Sequence, residues 1–268
     1  MAFLTVDCFS EVLGMSVGLS VILPQRLNIV NPVNGGRFTP PYPVLYLLHG
    51  WNGDHTVWAR RTSVERYASD KGMVVVMPAA HLSFYSDRTL GLRYWTFISQ
   101  ELPEICRDLF PQITNDPSQT FAAGLSMGGY GAFKLGLTYP ERFRAVASLS
   151  GAVDVAALFE RLQKEARERG NEDTTGIYGI QKVKGSEEDL FALIDKCKKE
   201  EKTFPRLYQW CGRQDFLYQD NIRLRDYLTE AGADLTYEEA DGDHQWKYWD
   251  MGIEKVLLWI QDILKEDC

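Results

Sequence analysis

The rhythm of apolar positions changes partway along the chain. Two β-rich runs come first, "FLTVDCF" and "MSVGLSVILP", separated by Gly14, and they predict an antiparallel pair. The stretch "NIVNPVNGGRFTPPYP" then reads as a loop, since Pro40, Pro41 and Pro43 exclude both helix and central strand. Beyond it, "VLYLLHG" and "MVVVMP" are continuous apolar runs of the kind buried on both faces of a parallel sheet. Between them, "VWARRTSVERYASDKG" has helical composition and stops at Gly72. "YWTFISQELPEICRDLF" predicts a helix kinked at Pro103, "TFAAG" a strand, "MGGYGAFKLGLTY" a helix and "RAVASLSG" a strand. Near the C-terminus, "RLYQWCG", "YQDNIRLRDYLTEAG", "DLTYEEA" and "YWDMGIEKVLLWIQDIL" continue as strand, helix, strand and helix. Alternation of this kind predicts an α/β fold with a mostly parallel central sheet and helices on both faces, forming one domain over residues 1–268.

One segment breaks the alternation. Residues 155–203 are rich in charge and contain no clear strand, yet Leu158, Phe159 and Leu162, then Leu190, Phe191 and Ile194, keep helical spacing. The alternatives are a solvated linker or a small helical cap over the end of the sheet. The cap is the preferred reading, because compact domains seldom carry long structureless loops.

Composition narrows the function. The chain has 268 residues, 45% of them hydrophobic, and a formal net charge of −8. Such an acidic chain has no broad basic surface for a phosphate backbone or anionic lipid, so neither nucleic acid nor membrane is expected as a partner. No run approaches the roughly 20 apolar residues of a membrane span. The start, "MAFLTVDCFSEVLGM", lacks a basic flank and carries Asp7 and Glu11 where a signal peptide needs apolar residues, so a cytoplasmic location is the default expectation. Five widely spaced cysteines, Cys8, Cys106, Cys197, Cys211 and Cys268, form no CxxC pair and predict neither a disulfide framework nor a zinc site.

The chemistry concentrates in "AAGLSMGGYG". Gly124-Leu125-Ser126-Met127-Gly128 fits G-x-S-x-G, in which a strand turns sharply into a helix with the serine at the apex. The pattern alone arises by chance in about one chain of this size in ten to twenty. Its setting is more specific, because a predicted strand precedes it and a predicted helix follows. A P-loop would need Lys and Ser/Thr after the last glycine, and a dinucleotide G-x-G-x-x-G is absent.

A serine hydroxyl needs an imidazole to take its proton and a carboxylate to orient that imidazole. In folds with this turn the chain order is Ser, Asp/Glu, His, and His244 in "DGDHQW" is the one histidine after Ser126. Asp215 in "GRQDF" is the favoured acid, with Asp154 in "LSGAVD" as runner-up. The oxyanion of a tetrahedral intermediate would meet the backbone N–H of Met127 at the helix N-terminus and that of Trp51 in "LLHGWNGDH". His49 precedes the elbow, so orienting that loop is its favoured role and general base the lesser one.

Taken together, "FSEVLGMSVGLSVILP", "LLHGWNGDHTVWARRTSVERYA", "VVVMP", "YWTFISQELPEICRDLFP", "FAAGLSMGGYGAFKLGLTYPERF" and "DGDHQWKYWD" resemble the tributyrin esterase branch of the esterase D and S-formylglutathione hydrolase family. The likeness covers nearly the whole chain and is weak over 155–203. It implies the α/β-hydrolase fold and hydrolysis of short-chain acyl esters without metal or organic cofactor. It also implies Ser126 as nucleophile, Asp215 as acid, His244 as base, and the amides of Trp51 and Met127 as oxyanion hole. S-formylglutathione hydrolases typically carry a Leu-Thr-Cys run where this chain has "GWNGDH", which puts simple esters ahead of formylglutathione. Relatives that act on acylated sugars or hydroxycinnamoyl esters make Trp51, Trp58, Phe84, Tyr85, Trp95 and Trp246 candidates for the substrate pocket, although such residues also serve as core. The expected partner is a small-molecule ester, and a homo-oligomer is open. Acyl transfer, and a non-catalytic binding module on the same scaffold, are the rival functions.

Overall fold

The computed structural model describes residues 1–25, 38–88, 91–169 and 183–266. Eight strands form one sheet in the order β1-β2-β4-β3-β5-β6-β7-β8. The strands β1 (Ala2–Ser10) and β2 (Met15–Leu23) pair antiparallel, as their sequence predicts, and β2 runs antiparallel to β4 (Val74–Pro78). From β4 onward, β3 (Val44–Leu48), β5 (Thr120–Leu125), β6 (Ala145–Leu149), β7 (Arg206–Gly212) and β8 (Leu235–Ala240) are all parallel. This is the α/β-hydrolase arrangement.

The central strands are apolar throughout because helices cover both faces. Alternate residues of one strand serve different cores. Val44, Tyr46 and Leu48 of β3 join Val74 and Val76 of β4 in one cluster, with Met127, Tyr130 and Phe133 from the helix Met127–Thr138. Leu45 and Leu47 join Val75 and Met77 in the other, with Trp249, Ile253, Val256 and Ile260 from the C-terminal helix Trp246–Lys265. Side chains that alternate at period two thus build two cores from one sheet.

Three segments differ from the simplest reading. "VWARRTSVERYASDKG" forms two short helices, Val57–Arg61 and Val64–Ser69. Thr62 between them is extended (φ −138°, ψ 170°), and the Asp250 carboxylate accepts the Ser63 N–H at 2.8 Å. The Pro103 segment opens as Tyr94–Thr96, widens into a π turn over Phe97–Glu101 and continues as Leu102–Leu109. Proline has no N–H to give the preceding turn, and the π turn falls just before it.

The expected cap separates into two parts. Asp154 caps the helix Val155–Glu168, accepting the Ala157 N–H at 3.0 Å. The second helix, Leu190–Lys199, buries Leu190, Leu193, Ile194 and Cys197 and packs against Met127–Thr138 in the layer that covers the sheet. Val155, Leu158 and Phe159 of the first helix belong to the same core cluster as Leu190, Leu193 and Ile194 of the second. Residues 170–182 of the 155–203 segment lie outside the described residues. Among the described residues, no helix is long and apolar enough to cross a membrane.

Candidate active site

The strand β5 ends at Leu125 and the helix begins at Met127, so Ser126 alone makes the turn. Its backbone sits at φ 53°, ψ −119°, a conformation that a residue with a Cβ adopts only under constraint. Three hydrogen bonds supply the constraint. The Ser126 N–H donates to Leu149 O at 3.0 Å, and its carbonyl accepts from Tyr130 N at 3.1 Å and Ala152 N at 3.0 Å.

The flanking glycines are required by contact. A Cβ on Gly124 would lie 2.3 Å from the Gly128 backbone, and one on Gly128 would lie 2.2 Å from Leu48 O. A Cβ on Gly50 would come within 2.5 Å of Leu125 Cδ1 and 3.3 Å of Ser126 Cβ. Only glycine lets the loop after β3, which carries Trp51, run this close to the serine.

His244 lies in the loop after β8, and Asp215 in the turn after β7. The two loops are tied together by Gln214 N–H to Gly242 O at 2.9 Å and Gly242 N–H to Gln214 Oε1 at 2.6 Å. Asp215 Oδ2 lies 2.8 Å from His244 Nδ1, and His244 Nε2 lies 3.0 Å from Ser126 Oγ. The other oxygen of Asp215 accepts the Leu217 N–H at 2.9 Å, which fixes the buried carboxylate. With Nδ1–H pointed at the carboxylate, Nε2 is left as the acceptor for the serine proton. Such a chain can turn a hydroxyl into a nucleophile at neutral pH.

The rival candidates have other partners. Asp154, besides capping its helix, accepts from Arg223 at 2.8 Å. His49 is buried, takes the Ala80 N–H on Nε2 at 2.9 Å and holds Nδ1 2.8 Å from Gly50 O. Burial pushes its pKa down to about 4. A neutral imidazole held at both nitrogens orients the strand end and its loop, and cannot serve as a base for Ser126.

Met127 is the first helical residue, where backbone N–H groups have no partner four residues back. Trp51 lines a cleft of about 580 Å³ that also contains Ser126 and His244. Its walls form two groups of contacting rings and apolar side chains. Trp51 meets Phe84 at 5.2 Å between ring centroids and Phe84 meets Phe159 of the helix Val155–Glu168 at 5.1 Å; Leu158 and Leu162 of that helix also line the cleft. Around His244 stand Phe216 at 4.7 Å and Trp249 at 4.8 Å, with Trp246 packed edge-on to Trp249. Arg60 and Arg61 border the cleft.

Of the aromatic candidates, Trp51, Phe84 and Trp246 line this cleft; Trp58, Tyr85 and Trp95 do not. Trp58 is buried, donates from Nε1 to Leu48 O at 3.0 Å and backs Trp246 at 5.4 Å. Tyr85 is buried and donates its hydroxyl to His49 O at 2.8 Å. Trp95 stacks on Tyr139 at 6.0 Å, with the Lys134 ammonium 4.2 Å over its ring. Each of the three is held by partners away from the serine. Leu158 and Leu162, read from the sequence as part of a cap over the sheet end, do line the cleft, whereas Phe216, Trp249, Arg60 and Arg61 were not legible as cleft residues. Phe216 had one signal, its place directly after Asp215, and Trp249 another, its place in "HQWKYW".

The model of the Esterase family, described as "Putative esterase", matches residues 10–260. An acetyl esterase of Caldicellulosiruptor saccharolyticus is 30% identical over 98% of this chain and 99% of its own. The Staphylococcus aureus fluorophosphonate-binding serine hydrolase F, solved with substrate bound, is 32% identical over 97% of this chain and 98% of its own, with a TM-score of 0.82. The Staphylococcus aureus S-formylglutathione hydrolase is 34% identical over the same shares, with a TM-score of 0.80. The chain belongs to the Esterase family and is a serine hydrolase acting on carboxylic esters.

Proposed function

We propose that the protein is a carboxylesterase for short-chain acyl esters, working through an acyl-enzyme on Ser126. The observation that carries this reading is the unbroken hydrogen-bond chain from Asp215 through His244 to Ser126, at 2.8 and 3.0 Å. Ser126 Oγ attacks the ester carbonyl while His244 Nε2 takes its proton. The N–H groups of Met127 and Trp51 hold the oxyanion, the former with the help of the helix dipole. As the tetrahedral intermediate collapses, His244 returns the proton to the leaving oxygen, and an alcohol departs. Water then repeats the sequence on the acyl-enzyme and releases the acid. The similarity to an acetyl esterase and the resemblance to the tributyrin branch support a short acyl group. The exposed faces of Phe216 and Trp246 beside His244 suit a sugar or aryl leaving group.

A second reading is hydrolysis of an acyl thioester of glutathione. Arg60 and Arg61 at the edge of the cleft favour it, since a leaving group with free carboxylates would meet two guanidinium groups there. The similarity to the Staphylococcus aureus S-formylglutathione hydrolase points the same way. One panel separates the two: p-nitrophenyl acetate and butyrate, an acetylated xylo-oligosaccharide, and S-formylglutathione, each with and without added glycerol. Esterase action predicts the highest kcat/KM on the oxygen esters and free acid as the product. A dominant glycerol ester would mean acyl transfer. Full activity of Ser126→Ala on p-nitrophenyl butyrate would remove the reading altogether.

A further inference from the structure

A polar cluster apart from the triad lies behind Phe84, whose ring meets that of Tyr130 at 6.2 Å. Glu188 Oε2 is 2.6 Å from Lys134 Nζ, 2.8 Å from the Tyr130 hydroxyl and 2.6 Å from the Ser86 hydroxyl. All three donors are buried. The Lys134 ammonium also donates to Tyr85 O at 3.1 Å. One carboxylate therefore binds the helix that follows Ser126 to the loop carrying Phe84 and Tyr85.

That loop needs holding. Phe84 and Tyr85 have φ of 52° and 50°, two consecutive left-handed residues, both bearing a Cβ. Tyr85 is fastened at each end, by its hydroxyl on His49 O at 2.8 Å and by its N–H on Ser83 Oγ at 3.0 Å. Both rings are buried in the same core cluster, and Phe84 but not Tyr85 also lines the cleft, against Trp51 at 5.2 Å and Phe159 at 5.1 Å. Lys134 holds Tyr85 O and Glu188 holds Ser86, so the pair grips the strained turn on its C-terminal side.

Reaction geometry says which part of the ester Phe84 faces. His244 must protonate the leaving oxygen, so the leaving group lies by His244, Phe216 and Trp249. The acyl chain is left with the surface of Trp51, Phe84 and Leu158. We propose that Glu188 and Lys134 are positioning residues that hold Phe84 in the acyl-side wall and so set the acyl chain length the site accepts. This rests on Ser126 being the nucleophile.

The test is a p-nitrophenyl ester series from acetate to decanoate, in which the leaving group is constant and the acyl chain varies. Wild type, Phe84→Ala, Glu188→Gln, Lys134→Met and Phe84→Ala/Glu188→Gln are compared. Phe84→Ala is expected to raise the octanoate-to-acetate ratio of kcat/KM about tenfold. Glu188→Gln and Lys134→Met are expected to move it at least threefold the same way, with the change carried by KM for the long esters. In the Phe84→Ala background, Glu188→Gln is expected to add nothing further. A Glu188→Gln protein that melts earlier but keeps the wild-type ratio would make the cluster a staple of the fold and overturn the proposal, as would an unchanged ratio in Phe84→Ala. If Glu188→Gln fails to fold, Ser86→Ala removes one donor alone, and an unchanged ratio there overturns the proposal equally. Failure of the nucleophile reading would look different, with no hydrolysis of any ester by wild type and no labelling of Ser126 by a fluorophosphonate.

Discussion

The ring of Phe216 lies 4.7 Å from that of His244, although Phe216 itself is 66% exposed. This apolar ring, set directly after Asp215, gains little from burial and lies tilted at 55° to the imidazole. Aromatic pairs contribute about 0.5–1.5 kcal/mol, which corresponds to about two- to twelvefold in rate if the contact matters in the transition state. Phe216→Ala is expected to lower kcat/KM for p-nitrophenyl butyrate by that factor while leaving the melting temperature nearly unchanged. Steady-state kinetics with a circular-dichroism melt check both.

Two aspartates follow adjacent parallel strands, and their partners predict opposite phenotypes. Asp215→Asn reverses the hydrogen-bond demand on His244 Nδ1, and a loss of about 10⁴ in kcat is expected. Asp154→Ala removes a helix cap worth about 1 kcal/mol. It should leave kcat/KM within a factor of two and lower the melting temperature by about 2–4 °C. Loss of turnover in the second variant with activity kept in the first would reverse the assignment.

At the elbow, Gly124→Ala or Gly128→Ala would place a methyl group within 2.3 Å or 2.2 Å of backbone atoms. Backbone cannot swing aside as a side chain can, so either change is expected to cost about 3 kcal/mol or more. The measurable result is poor soluble yield, or a urea midpoint well below wild type together with lost labelling of Ser126.

His49 links stability to pH. Its pKa falls from 6.5 to about 4 because burial disfavours the cation. Between those values the unfolded chain binds the proton and the folded chain does not, so stability rises with pH across the window and is lost as pH drops through it. The full effect is about 3 kcal/mol. Urea midpoints from pH 7.5 to 4.5 should fall for wild type and fall less steeply for His49→Gln, whose side chain does not titrate. Equal slopes in the two proteins would contradict the buried neutral imidazole.

Local chemistry made much of the fold readable. The β5 run, the glycines around Ser126 and the Ser, Asp, His order are all set by neighbours in sequence or by connectivity. A strand buried on both faces must be apolar throughout, and a turn this tight leaves no room for Cβ atoms at Gly124 and Gly128. The helices at Met127–Thr138 and Trp246–Lys265 were legible from their place in the strand–helix alternation, the second from Tyr248 onward.

What the chain alone left open is the direction in which loop side chains point. Phe84 and Tyr85 are adjacent aromatics in a "SFYS" stretch, both buried in one core cluster with positive φ, yet only Phe84 of the two also lines the cleft. Asp215 and Asp154 each follow a strand end, and only the crossing of the Gln214 and Gly242 loops puts one of them against His244. Glu188 meets Lys134 across 54 residues, and no local pattern marks either as a partner of the other. The sequence by itself determined most of the elements, their order and Ser126 as the candidate nucleophile. The tertiary structure decided which of the two aspartates meets His244, which rings line the cleft and what holds them there, since those depend on packing between segments far apart in the chain.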